Sequence, residues 1–351
     1  MNFIKTRSFF IIFLITFCCV YNKQNKKINH VLILVSFDGF RYDYMKYVDT
    51  PNFDFLESEI LGYFKFHDNQ FSGEVSSNIC DLFDSGLVTF TIYENQLCPS
   101  YPECIEGYIG NQNVIELWDE CYSIVETTEL DLSNKGLEGE IPMEIGELIN
   151  LTELKLYGNE LTGEIPYSIG NLTNLIYLSF FNNQLTGEIP STIGGLINLE
   201  RLWLHKNQLT GSIPPEIGDL INLQELILKN NQLTGGIPQE LGNLQEILYF
   251  DLSFNPLGGS IPSEIWNLET LWDLWLVDNN LVGEIPPEVG NLINLNTLSL
   301  SHNQLSGELP SSLWGLDLQQ LFLSDNLFSG DIPSEIGYMD NLEWLYLDNN
   351  Q

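Results

Sequence analysis

The sequence predicts an α/β repeat: a right-handed solenoid with short parallel strands on its concave face and 3₁₀ or extended segments on its convex face. Three observations lead there. A 24-residue unit, L-x-x-L-x-L-x-x-N-x-L-x-G-x-I-P-x-x-I-G-x-L-x-N, recurs along the chain. Its apolar positions cannot be buried within one unit, so neighbouring copies must stack to make a core. The composition supports such a core, with 44% hydrophobic and 12% aromatic residues.

Copies begin at Thr127, Leu151, Leu175, Leu199, Leu223, Ile247, Leu271, Leu295 and Leu318, and a further one opens at Leu342. Leucines at unit positions 1, 4, 6 and 11 are expected to point inward. The x-L-x-L-x stretch reads as a short parallel strand, about 4.8 Å from its neighbours. Asparagine holds position 9 from Asn159 onward, with Lys135 in the first copy. A buried amide there can donate to and accept from backbone groups that the bend leaves unpaired. The Gly and Ile-Pro positions suit an extended side segment. The I-G-x-L that follows is too short for a full helix and predicts a 3₁₀ turn. This unit resembles the plant-type extracellular leucine-rich repeat.

The chain before Thr127 divides further. Residues 1–21 read as a signal peptide: Lys5 and Arg7 precede an apolar run from Phe9 to Val20. That run is too short to span about 30 Å of hydrocarbon but suits an export signal. A variant is a lipid anchor at Cys18 or Cys19. Export implies an extracellular or cell-surface location and an oxidising compartment. Cys80, Cys98, Cys104 and Cys121 then allow three pairings.

Residues 22–60 differ in kind. Val31 to Val35 reads as a strand buried on both faces, followed by Asp38-Gly39 where α/β proteins place ligands. The stretches VLILVSFDGFRYDY (31–44) and VDTPNFDFL (48–56) resemble the start of nucleotide pyrophosphatase/phosphodiesterases of the alkaline phosphatase superfamily. That resemblance implies Asp38 as one ligand of a two-metal site. The rest of such a centre does not follow: the chain has four His, and none falls in a cluster with Asp after Asp38. The segment therefore reads as a remnant without activity. A metal-dependent nucleotide phosphodiesterase is the alternative reading, and the chain is expected to be no enzyme and to need no cofactor.

Residues 61–113 read as a short leucine-rich-repeat segment. Copies start at Leu61 and Leu87, and the second breaks into a stretch that Cys98 and Cys104 would close as an end cap. Residues 114–126 read as an opening cap, with Trp118 and Cys121 covering the first turn of the array. The array, 127–351, stops mid-unit without the polar cover a solenoid end needs, and so reads as truncated.

Charge narrows the partners. With 13 basic and 48 acidic residues the net charge is −35. That excludes general nucleic-acid binding, which needs Lys and Arg for phosphate contacts. Membrane contact is expected only through a lipid anchor or a missing carboxyl-terminal region. Acidic rows at positions 14 (Glu140, Glu164, Glu188, Glu284, Glu308) and 18 (Glu144, Glu216, Glu240, Glu264, Glu288, Glu335) read as a solvated surface, with divalent-cation binding as the alternative.

Positions 2, 3, 5, 7 and 8 are expected on the concave face. Lys155, Tyr157, Tyr177, Phe181, Arg201, Trp203 and His205 gather there on three consecutive copies. Exposed aromatics and Arg are the usual material of interface hot spots. The predicted function is a secreted or surface-tethered recognition protein that binds a peptide or protein ligand, one with an acidic group that Arg201 and Lys155 would meet. Trp272 and Trp275 form a second group. The competing reading is that these aromatics only stack on one another across the strands.

Overall fold

The computed structural model describes residues 113–351 in full and the backbone of four further strands, at 63–67, 72–74, 89–93 and 96–98. The signal segment, Cys18, Cys19, Asp38 and the phosphodiesterase-like stretch lie outside the described residues. The chain forms two units, 1–114 and 115–351, each taken by itself below. In the first, Tyr63–His67 pairs in parallel with Thr89–Tyr93, and Phe64 faces Phe90. Those two phenylalanines hold the same position in the copies read from Leu61 and Leu87. Ser72–Glu74 pairs in parallel with Gln96–Cys98.

A two-stranded sheet, Val114–Leu117 and Glu120–Ser123, precedes the array. Trp118 and Asp119 join the strands, both at positive φ (48° and 62°), as a two-residue hairpin turn of matching twist requires. Ile115 and Leu117 are buried, and Trp118 packs against the same core. Cys121 is disulfide-bonded; every other cysteine lies among residues whose side chains are not described.

Ten parallel three-residue strands follow in one sheet, from Glu129–Asp131 to Trp344–Tyr346, each hydrogen-bonded to its sequence neighbour. The register aligns Leu154, Leu178, Leu202 and Leu226 as direct partners. Leu199, Leu202, Leu204 and Leu209 of one turn are all 0% exposed, as are their counterparts in the turns beside it. Full burial of each such side chain contributes about 1.5–3 kcal/mol.

Five-residue 3₁₀ turns occupy the opposite side, from Met143–Glu147 to Ser334–Tyr338. A proline in extended conformation precedes each one, as Pro166 does at φ −66° and ψ 138°. Most of these turns pack so closely that only glycine fits at their fourth position, although Trp266 and Trp314 stand there in two of them. A Cβ on Gly170 would lie 2.4 Å from the carbonyl oxygen of Thr192 in the next turn.

The side segments hold more structure than the sequence suggests. They form two lateral sheets: Glu138–Glu140 pairs with Glu160–Thr162 in one, and Val282–Glu284, Gln304–Glu308 and Leu327–Ser329 pair in series in the other. Isolated bridges Glu188–Thr210 and Ser212–Thr234 continue the first piece. Stacking the coil brings these extended segments to strand distance without further help from their sequence. Named strands and bridges are absent from this ladder between Thr234 and Val282.

The position-9 amides do what the sequence implies. Asn207 Nδ2 donates to Phe180 O and Leu204 O at 3.0 Å each, and its Oδ1 accepts from Leu185 N at 3.1 Å. One side chain thus ties two turns together. A second amide row, unassigned from sequence, lies at position 24: Asn174, Asn198 and Asn222 each donate to a carbonyl of the turn before, at 2.8–3.0 Å.

Leu202→Ala is expected to cost about 2–5 kcal/mol. Asn207→Ala should cost about 1–3 kcal/mol for each buried backbone group it strands. Urea midpoints followed by circular dichroism check both, and an exposed control such as Gln208→Ala should leave the midpoint in place.

Candidate ligand-binding face

Three adjacent strands, Glu153–Lys155, Tyr177–Ser179 and Arg201–Trp203, and the residues just beyond them carry all seven side chains singled out by sequence. Position 7 supplies a stack of parallel rings. Tyr157 lies on Phe181 with centroids 4.5 Å apart and planes 5° apart, and Phe181 lies on His205 at 4.5 Å and 6°. That spacing is close to the distance between strands, so equal unit positions place flat rings at stacking distance. Trp203, from position 5, leans on the stack at 6.0 Å from Phe181 and 6.4 Å from His205. It meets Tyr177 edge-on at 5.1 Å.

The cations bracket Tyr177. Lys155 Nζ lies 5.3 Å and Arg201 Cζ 5.8 Å from its ring centroid, within range of cation–π attraction. Tyr177 itself is 9% exposed, while Tyr157, Phe181, Trp203 and His205 are half-buried. The face thus presents ring area to solvent over a closed floor.

The charge differs from the sequence expectation. Arg201 and Lys155 were expected to meet an acidic group on a ligand, but each already has a carboxylate partner within the chain. Lys155 is paired with Glu153. Glu225 serves two residues, one oxygen each: Oε1 forms an ion pair with Arg201 Nε at 3.2 Å, and Oε2 accepts from Trp203 Nε1 at 2.9 Å. Lys229 pairs with Asp251 at 2.9 Å. The sequence reading missed Glu225, although its signal is there, since Glu225 follows Arg201 by one repeat and faces it in register. It orients both the guanidinium and the indole.

His205 is uncharged near neutrality. Burial first, then the nearby charges of Lys229 and Lys206, lower its pKa to about 4. Its Nδ1 is buried without a hydrogen-bond partner.

The second aromatic group also differs. Trp272 lies ahead of its strand and is exposed, whereas Trp275 approaches Phe322, two strands further along, at 6.1 Å. Phe322 in turn stacks on Tyr346 at 5.3 Å. Among the described residues no group of three or more His, Cys, Asp or Glu side chains is placed to hold a metal ion. No helix among them is long and apolar enough to cross a membrane.

Comparison with known proteins gives the same fold. The family described as "Leucine-rich repeat region" matches residues 127–235, and "Leucine Rich Repeat" matches 246–268, 294–316 and 317–339. No curated protein matches. The structure is similar to the plant peptide hormone receptor RGFR1 in complex with RGF2, at 35% identity and a TM-score of 0.63, over 83% of this chain and 44% of that one. It is similar to the ectodomain of the Arabidopsis thaliana membrane receptor kinase GASSHO1/SCHENGEN3 in complex with CASPARIAN STRIP INTEGRITY FACTOR 2, at 31% identity and 0.65, over 83% and 39%. A Leptospira interrogans leucine-rich-repeat protein matches at 37% identity and 0.52, over 65% and 62%. The chain spans less than half the length of the two receptor structures.

The depressed His205 pKa has a signed consequence. Below the unfolded value of 6.5 the unfolded chain binds a proton that the folded one does not, until pH falls to about 4. Stability should therefore fall as pH drops from about 6.5 to 4. His205→Phe, which keeps the stack, should flatten that slope. Urea unfolding of both proteins across the window checks it, and the His205 ring resonances should not titrate between pH 5.5 and 8, a range set by that depressed value.

Proposed function

This chain belongs to the leucine-rich-repeat proteins, and we propose that it is a secreted or surface-tethered recognition module that binds a peptide or protein segment on its concave face. The observation that carries the reading is the ring stack Tyr157–Phe181–His205 with Trp203 against it, partly open to solvent. Similar solved structures include receptor ectodomains in complex with peptide hormones, which supports a ligand of that class. The signal-like residues 1–21 support export.

An acidic group on the ligand fits the local chemistry. Arg201 meets Glu225 through Nε, which leaves the two terminal guanidinium nitrogens to hold a carboxylate with two parallel bonds. The aromatic rings supply apolar area to bury beside it. Glu225 keeps the guanidinium in place, so little side-chain entropy is lost on binding.

A peptide library displayed against the immobilised protein tests this. Trp203→Ala should weaken the selected peptides by about 2 kcal/mol or more, and Arg201→Glu should weaken those with a carboxylate further. Binding of the latter should also fall with added salt. Trp275→Ala, outside the patch, should change affinity little. Peptides that bind wild type, Trp203→Ala and Arg201→Glu equally well would leave the stack as ordinary strand surface.

A further inference from the structure

One turn of the solenoid departs from the pattern at several positions that lie together. Position 8 of each turn is left-handed, at φ 54–71°. Asn134, Gly158, Asn182, Lys206, Asn230, Asp278, His302, Asp325 and Asn349 fill it, mostly residue types that tolerate this conformation. Lys206 and Phe254 are the exceptions, and Phe254, at φ 60° and 46% exposed, is the one bulky aromatic. A bulky aromatic there is both strained and left in water, and backbone strain of this kind collects at functional sites.

The neighbouring departures open space beside that ring. Pro256 stands where Gln208 and Gln232 each donate a backbone N–H to the preceding turn at 2.8 Å, and proline has none to give. The lateral ladder reroutes, with Gly258 N donating to Asn279 O at 2.8 Å and Gly236 N to Leu257 O at 2.9 Å. A Cβ on Gly258 would meet nothing within 4 Å. The amide row loses a donor bond at the same place, while Asn279 Oδ1 still accepts from Asn255 N at 3.1 Å. Asn279 is 0% exposed and its Nδ2 has no hydrogen-bond partner, although Asn255 and Asn303 on either side use theirs fully.

Beside these changes lies a cavity of about 240 Å³ lined by Phe254, Asn255, Pro256, Asp278 and Asn280. Asp278 and Asn280 are exposed, both at positive φ. The lining therefore offers a ring face, a carboxylate and a carboxamide, with no cation among them. We infer that this cavity binds an organic cation, an ammonium or guanidinium group, over the Phe254 ring and against the Asp278 carboxylate. A ring face and a carboxylate both attract positive charge. The field of a chain with net charge −35 concentrates cations near it. The source is a Lys or Arg side chain of a partner polypeptide or a free polyamine.

The test uses the whole chain, ¹⁵N-labelled, titrated with N-acetyl-arginine methylamide, N-acetyl-lysine methylamide and spermidine. N-acetyl-glutamine methylamide and cellotriose serve as neutral probes. Amide resonances of 254–258 and 278–280 should move with the cationic probes and not with the neutral ones. Amino-acid derivatives bound more tightly than spermidine assign the source to a polypeptide, and the reverse assigns it to a polyamine. Asp278→Asn, which keeps the shape and removes the charge, should weaken cation binding at least tenfold. Phe254→Asn installs the residue that Asn182 and Asn230 carry at this position, so it should keep or raise the melting temperature while losing the response. A neutral probe that binds as well as the cations overturns the inference, as does an unchanged response in Asp278→Asn or the absence of any response.

Discussion

Each turn of the coil reverses direction just beyond its strand, and the reversal leaves backbone N–H and C=O groups facing the interior. Buried and unpaired, each would cost about 1–3 kcal/mol. The position-9 asparagine removes that cost with one planar group that both donates and accepts. Asn231 shows the arrangement: it donates to Leu204 O of the preceding turn and Leu228 O of its own, and accepts from Leu209 N. Every leucine of the core depends on this, because the amide holds consecutive turns in one register. Without it the apolar edges would have no fixed neighbour to cover them.

The same register produces the candidate binding face. A repeat of constant length puts equal positions side by side at strand spacing, so rings at position 7 become a stack. Opposite charges one repeat apart become a pair, as Arg201 and Glu225 do. The site is thus built by the scaffold's geometry rather than by loops inserted into it. Preorganisation follows directly, since Glu225 holds both the guanidinium and the indole through its two oxygens.

The sequence revealed what depends on spacing and concealed what depends on exact distance. Inward leucines, the amide row, the 3₁₀ turns and the gathering of Tyr157, Phe181, Trp203 and His205 all follow from a period that can be counted. The lateral sheets were invisible: Glu138–Glu140 and Glu160–Thr162, for instance, carry no strand pattern and pair only because stacking brings them together. The pairing of the cations depends on exact neighbours: Glu153 two residues before Lys155 on its own strand, and Glu225 one repeat after Arg201. Trp272 and Trp275 are close in sequence but differ in unit position, and unit position decides contact.

Pro256 has a mechanical consequence. In a solenoid each turn is held only by its two neighbours, so cohesion is a series of links and the weakest sets where the chain parts. Along most of the array two links act in parallel, the main sheet and the amide row, with lateral pairs added on either side. At the turn from Ile247 the proline removes one lateral bond, and Asn279 Nδ2 has no partner while its Oδ1 still accepts from Asn255 N at 3.1 Å. The main sheet runs through unbroken, from Tyr249–Asp251 to Asp273–Trp275, and Gly258 N and Val282 N keep lateral bonds to Asn279 O and Gly259 O. The array therefore gives up a lateral bond and an amide donor at the turn that carries the open cavity, while the main sheet holds its register there.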